Sequence, residues 1–217
     1  MYIVLFGPPG AGKGTQAVRL AQAARLAHVA TGDMFRDNLR ARTALGQRAE
    51  SYLTKGELVP DELTIGLLMD RLDQPDAAAG VIFDGFPRTI PQAQALDRAL
   101  HARGKGVGVA ALIEVANAEV LRRLGGRWTC SDCGMVFHER TNPPERDGIC
   151  QRCGKLLMQR SDDTPAAIEN RLRVYRQQTE PLVAFYEAAG ILTRVDGERE
   201  PEAVQADLLR VLEAVSA

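Results

Sequence analysis

The chain has no surplus of charge of either sign. Its 27 Lys and Arg and 28 Asp and Glu leave a formal net charge of −1. Proteins that grip nucleic acid usually carry a basic excess, so no nucleic-acid partner is expected. Long apolar runs are missing too. None approaches the ~20 residues that cross a bilayer, so no membrane contact is expected. The N-terminus lacks a basic n-region, and its apolar run Tyr2–Phe6 is too short for a signal peptide. Cysteine is scarce, at four residues. Without a secretory signal, a reducing cytoplasm is the expected compartment, where clustered Cys point to metal rather than to disulfides. There is no internal repeat and no low-complexity tract. No apolar stripe is left over for a partner copy, so a monomer is the default.

What is present suits one sizeable core. The chain has 217 residues, 45% hydrophobic and 25% charged, an ordinary globular balance. Residues 2–6, 28–31, 81–84, 109–115 and 191–195 read as strands. Residues 13–25, 33–43, 47–55, 61–72, 89–102, 117–124, 164–189 and 201–215 read as helices. Thr89, Asn117 and Thr164 are the expected N-caps, and Gly190 the expected stop of the long helix from 164. Strand–helix alternation predicts an α/β fold with a central parallel sheet and helices on both faces. Ligands then sit beyond the carboxyl ends of the strands. Residues 126–163 break the pattern, being rich in Cys, Gly, Pro and charge, and read as an inserted module.

Gly7-Pro-Pro-Gly-Ala-Gly12-Lys13 follows the first strand and opens the first helix. Glycines at this spacing let backbone N–H groups turn toward one anion. The helix N-terminus adds positive potential, and Lys13 brings a full charge to the outer phosphates of a nucleotide. Gly14 stands where Ser or Thr is usual, with Thr15 after it. An isolated strand-to-helix turn ending in Lys is the alternative. The apolar strand ending in Asp84 weakens it, because such an Asp commonly helps hold Mg²⁺ beside the phosphates.

Arginine is unusually frequent at predicted loop and helix ends. Arg88 lies four residues past Asp84, and Thr31 with Arg36 offers a hydroxyl and a guanidinium. Arg122, Arg123 and Arg127 precede or enter the insert, and Arg160 and Arg171 close and follow it. One phosphate loop needs fewer; two phosphorylated ligands face to face would use them. No general base stands out, and a phosphate nucleophile, already anionic, needs none.

Cys130-x-x-Cys133 and Cys150-x-x-Cys153 are separated by 16 residues, a spacing that suits a structural Cys₄ zinc site. His138 is not needed as a ligand. Zinc would stiffen a module with little core of its own, as a lid would require.

GPPGAGKGTQA, TGDMFR, DGFPRTIPQA, GRWTC with the two knuckles, TNPP, QRSDD and NRL together resemble the adenylate kinases, specifically the bacterial long form with a zinc-bearing lid. Gly14 before Thr15 is that family's own variant of the loop. The resemblance implies a P-loop core (1–29, 60–125 and 164–217), an AMP-binding helical segment (30–59) and a lid (126–163). It implies transfer of the γ-phosphoryl group of Mg·ATP to AMP, giving two ADP. By motif, Gly10, Ala11, Gly12, Lys13, Gly14 and Thr15 would hold ATP phosphates. Arg123, Arg127, Val136, Phe137 and the backbone of Arg199 would meet the rest of ATP. Thr31, Arg36, Glu57, Leu58, Val59, Gly85, Phe86, Pro87, Arg88 and Gln92 would bind AMP. Lys13, Asp84, Arg88, Arg127, Arg160 and Arg171 would form the catalytic set, Arg160 and Arg171 also reaching AMP. Asp162 and Asp163 would hinge or hold the lid. Trp128 stands where the family often has a second Arg.

Overall fold

The computed structural model describes residues 1–216. In chain order the elements are β1 (Tyr2–Phe6), α1 (Lys13–Ala24), β2 (Ala27–Ala30), α2 (Thr31–Arg40), α3 (Ala44–Lys55), α4 (Asp61–Leu72), β3 (Val81–Asp84), α5 (Ile90–His101) and β4 (Val109–Glu114). Then come α6 (Asn117–Gly125), β5 (Arg127–Cys130), β6 (Val136–His138), β7 (Leu157–Met158), α7 (Pro165–Val174), α8 (Leu182–Ala188), β8 (Leu192–Asp196) and α9 (Pro201–Ser216).

Five parallel strands form the main sheet in the order β2-β3-β1-β4-β8. β1 lies at its centre, and every one of its residues is buried. The two-residue period of a strand sends Tyr2, Val4 and Phe6 into one apolar core and Ile3 and Leu5 into the other. A sheet covered on both faces needs such an uninterrupted apolar strand. Val81–Phe83 and Val109–Ile113 are buried for the same reason. All five strands run the same way, so the loop after β1 and the end of β3 share one rim. Among the described residues no helix is long and apolar enough to cross a membrane.

The insert is a second sheet of three antiparallel strands, β6-β5-β7. Its small core holds Phe137, Leu157 and the sulfurs of Cys130 and Cys150.

Three local expectations change. Thr31 begins α2 rather than ending a strand. Ala116 caps α6 in place of Asn117, and its N–H donates to Glu198 Oε1 at 2.7 Å. The helix expected over 164–189 is interrupted. α7 ends at Val174, residues 175–179 form a π turn, and α8 starts after Pro181. Pro181 has no N–H for Gln177, and the wider turn closed by Glu180 N–H on Tyr175 O (2.9 Å) accommodates it. Thr89 and Thr164 cap their helices as expected, accepting from the N–H groups of Gln92 and Ala167.

Gly46 tests how tightly α2 and α3 are joined. A Cβ there would lie 2.3 Å from the carbonyl oxygen of Asn38. Helix propensity alone favours Gly46→Ala by ~1 kcal/mol. The backbone clash reverses the sign, and we expect a loss of roughly 1–3 kcal/mol, read as a lower melting temperature.

Candidate phosphate-binding cleft

The glycine loop holds backbone that other residues resist. Gly7, Gly10 and Gly12 have φ of +144°, +77° and +90°. A Cβ on Gly7 would strike the carbonyl oxygen of Ile113 at 2.3 Å, whereas Gly12 faces open space. α1 has neither a side-chain cap nor an acidic residue in its first turn. Its leading N–H groups are therefore available to an anion. Lys13 folds back over the loop, donating to Gly7 O (2.9 Å) and Pro8 O (2.8 Å). Burial pulls its pKa down to about 7; Asp84 opposes this, while Arg88, Arg171 and Arg127 add to it. An ammonium so placed gains most when phosphate arrives.

Asp84 ends β3 beside the start of α1. Its Oδ2 would lie 3.2 Å from a Cβ on Gly14, so glycine leaves the carboxylate room there. The same oxygen lies 3.4 Å from His28 Nε2.

Lys13, Arg88 and Arg171 line one cleft with Gly7 and Gly85. Arg88 is half-buried, and desolvation followed by repulsion from Arg171 lowers its pKa to about 10. Burial, then Arg36 and Arg127, lower Arg160 to about 9. The arginines remain charged at neutral pH. Asp163 restrains two of them. Its side chain is fully buried, accepts from Arg127 Nε and Nη2 at 2.8 and 2.5 Å, and accepts from Arg171 Nη1 at 2.9 Å. Asp162 adds a contact to Arg171 at 3.1 Å. Burial raises the Asp162 pKa, but Arg171, Arg127, Arg36 and Arg160 together hold it below the usual value. Arg160 Nε donates to Thr129 Oγ1 at 3.1 Å.

On the neighbouring wall, Thr31 Oγ1 donates to Gly85 O at 3.0 Å, and Arg36 pairs with Asp33 at 2.5 Å. Gly56 and Leu58 line the cleft with Pro87, Val59 is buried, and Glu57 is exposed. The Gln92 amide is engaged at both ends, by Asp61 and by the Arg88 N–H. Arg123 donates to Glu119 Oε1 (2.6 Å) and Gly197 O (2.8 Å), which sets it beside the loop carrying Arg199. The Arg199 side chain pairs outward with Asp207. Phe137 and Phe86 are fully buried, and their rings belong to the core. Val136 is partly exposed. Arg122 is turned to Glu119, and Trp128 packs on the insert's core.

Sequence reasoning missed Asp61 and Thr179. Asp61 reads locally as an acidic helix start. Thr179 sits inside an expected helix, and its partner, the Arg88 carbonyl, is 91 residues away.

In the insert the four cysteine sulfurs lie within 4.8 Å of one another. Cys130–Cys153 and Cys133–Cys150 are 3.4 and 3.7 Å apart. Zn–S bonds of ~2.3 Å in a tetrahedron set sulfur separations near ~3.8 Å. The donor set therefore fits one four-coordinate metal. Burial raises the Cys130 thiol, but the backbone of Cys133 and Asp132 and the neighbouring thiols together bring it below its ordinary value, which favours the thiolate that a metal needs. His138 Nδ1 accepts from the N–H groups of Arg140 and Thr141, so the histidine stands outside the cluster.

A parallel α/β sheet, a glycine loop after its first strand and a ring of guanidiniums define a P-loop protein that handles phosphate. Comparison with known proteins gives the family. A family model described as adenylate kinase matches residues 5–191. The chain is 47% identical over 212 residues to an adenylate kinase of Lachnospira eligens, covering 98% of this chain and 100% of that protein. It is 50% identical over 208 residues to an adenylate kinase of Methanocella arvoryzae, covering 96% of each. It is also 50% identical over 204 residues to one of Moorella thermoacetica, covering 94% of each. The chain belongs to the adenylate kinase family, and it is a nucleoside monophosphate phosphotransferase by that membership.

Lys13 gives a pH prediction. With a pKa of about 7 against an ordinary 10.5, it is mostly neutral in the free protein at pH 8. Bound triphosphate favours the charged form, so binding at pH 8 should take up close to one proton. At pH 6 Lys13 is already protonated, and uptake should be small. Calorimetry in buffers of different ionisation enthalpy reads the difference, and Lys13→Met should abolish it.

Proposed function

We propose that this protein reversibly transfers the γ-phosphoryl group of Mg·ATP to AMP, giving two ADP. The observation that carries the reading is the shared cleft. The glycine loop with Lys13 forms one anion-binding half, and Arg88 with Arg171 faces it. Gly10 through Thr15 would hold the ATP phosphates. Arg123, Arg127, the backbone at Val136 and Phe137, and the Arg199 loop would bind the rest of that nucleotide. Thr31, Arg36, the backbone of residues 57–59, residues 85–88 and Gln92 would form the AMP side, with Arg88 on its phosphate. Arg160 and Arg171 would span both ligands and meet charge as it shifts onto the transferring phosphoryl. Mg²⁺, held through Asp84, would supply further charge neutralisation. The residues' task is to align two anions and keep water out.

Residues 126–163 act as a lid and 30–59 as the AMP-binding segment, both carried by the core formed by the remainder. The separate three-stranded sheet of the insert supports the division, and the two pieces touch where Arg40 at the end of α2 donates to the carbonyls of Ser131 (3.0 Å) and Asp132 (2.8 Å). Cys130, Cys133, Cys150 and Cys153 would hold zinc in a structural role, with no position left for substrate. The protein works as a cytoplasmic monomer without a nucleic-acid partner, and its balanced charge supports the last of these.

Protein with Mg²⁺ and ATP, mixed separately with AMP, GMP, CMP and UMP, tests the reaction. Diphosphate formation with AMP is expected; silence with all four would overturn the reading. Stripping metal with a chelator tests the lid. We expect about one zinc released per chain and a lower melting temperature, because the metal holds together a module with a small core. An unchanged melting curve after release would remove zinc from the account.

A further inference from the structure

Arg88 is held at three points. Its backbone N–H donates to Gln92 Oε1 at 2.8 Å, its carbonyl accepts from Thr179 Oγ1 at 2.9 Å, and its Nε donates to Gly85 O at 2.7 Å. Gln92 and Thr179 are both buried, so water does not compete for these bonds.

The Gln92 amide can face only one way. Its Nε2 donates to Asp61 Oδ1 at 2.7 Å. Turned over, it would set its oxygen against the carboxylate and its NH₂ against the Arg88 N–H. Asp61 Oδ2 also accepts from Thr89 Oγ1 at 2.8 Å, and that oxygen caps α5 by accepting from the Gln92 N–H. Asp61 thus anchors both the side chain that grips Arg88 and the helix that carries it. On the carbonyl side, Thr179 is delivered by the π turn.

We propose that Asp61 and Thr179 are positioning residues for phosphoryl transfer, fixing the two backbone ends of Arg88 so that its guanidinium is set before AMP arrives. The proposal rests on the reading that Arg88 serves the AMP phosphate. The need for such a frame follows from charge. Arg171 and Arg36 repel Arg88, and a small rotation of its backbone would relieve that repulsion by swinging the guanidinium out of register. Buried bonds at both ends resist the rotation and leave the site preorganised.

Thr179→Val keeps the shape and removes the donor. We expect kcat to fall about three- to tenfold, the worth of one buried hydrogen bond, with KM for AMP raised and KM for ATP unchanged. Thr179→Ser should restore both. The ¹⁵N-edited signal of Arg88 Nε–H should exchange faster with water in the Val variant than in the parent. Asp61→Asn should act in the same direction, and it carries the test should Thr179→Val fail to fold. Unchanged kinetics would overturn the proposal. So would a lower melting temperature with no change in kcat or in either KM, or a Ser variant as impaired as Val. Arg88→Ala is the control for the underlying reading. If it alone leaves turnover intact, Arg88 has no part in the reaction and the frame has no catalytic purpose. If it cripples turnover while Thr179→Val and Asp61→Asn do not, only the frame fails.

Discussion

Crowding of positive charge is the constraint on which the rest of this structure depends. Lys13, Arg36, Arg88, Arg127, Arg160 and Arg171 share one electrostatic neighbourhood, and several are largely withdrawn from water. Like charges in such surroundings repel strongly and lose hydration. A chain accepts that cost only where something fixes the cations in place. Here Asp163 and Asp162 hold Arg127 and Arg171, Asp33 holds Arg36, and uncharged oxygens hold Lys13, Arg88 and Arg160. The restraints come from the loops after β1 and β3, from α2, from β5 of the insert and from residues 162–163. The cluster therefore couples the elements that the chain must bring together.

Rigidity follows the same logic. The glycine loop is braced against β4, where Gly7 meets Ile113 too closely for any Cβ. The insert has only a handful of buried apolar groups, and its four sulfurs sit at the spacing of one tetrahedral ion. On the proposed reading, metal replaces the missing core, so the insert can move as a body while Arg127 stays in register with the cleft.

Much of this was legible in the sequence because it is local. Continuous apolar runs gave the buried strands, glycine spacing gave the loop, and two knuckles gave the sulfur cluster. Asn117 misled because a capping residue and a first helical residue look alike in sequence, and the loop at Glu198 decided which it became. The long helix failed at Pro181, whose effect was absorbed by a π turn with no local signature. Phe86 and Phe137 lie in runs with site character, yet their rings are core. Asp61 and Thr179 were invisible for a different reason. Their significance lies in partners set by tertiary packing, such as a carbonyl 91 residues away.

The bonding of the cations also bears on how a phosphate would enter. Arg127 and Arg171 already have anionic partners in a fully buried carboxylate, so binding exchanges one anion for another instead of pairing free cations. Such an exchange yields less net affinity than new pairing would. It also keeps the guanidiniums oriented and screened from one another beforehand. Arg88 is restrained by uncharged groups alone, so an incoming phosphate at that position neutralises a charge without first displacing a carboxylate. The cleft thus divides its arginines into two kinds. One kind is tied to a buried carboxylate, and on the proposed reading its action would be coupled to movement of the chain bearing Asp163. The other is fixed by backbone bonds and needs no movement. On the proposed reading, that division would provide both a standing site for AMP and a set of charges completed when residues 126–163 settle over the cleft.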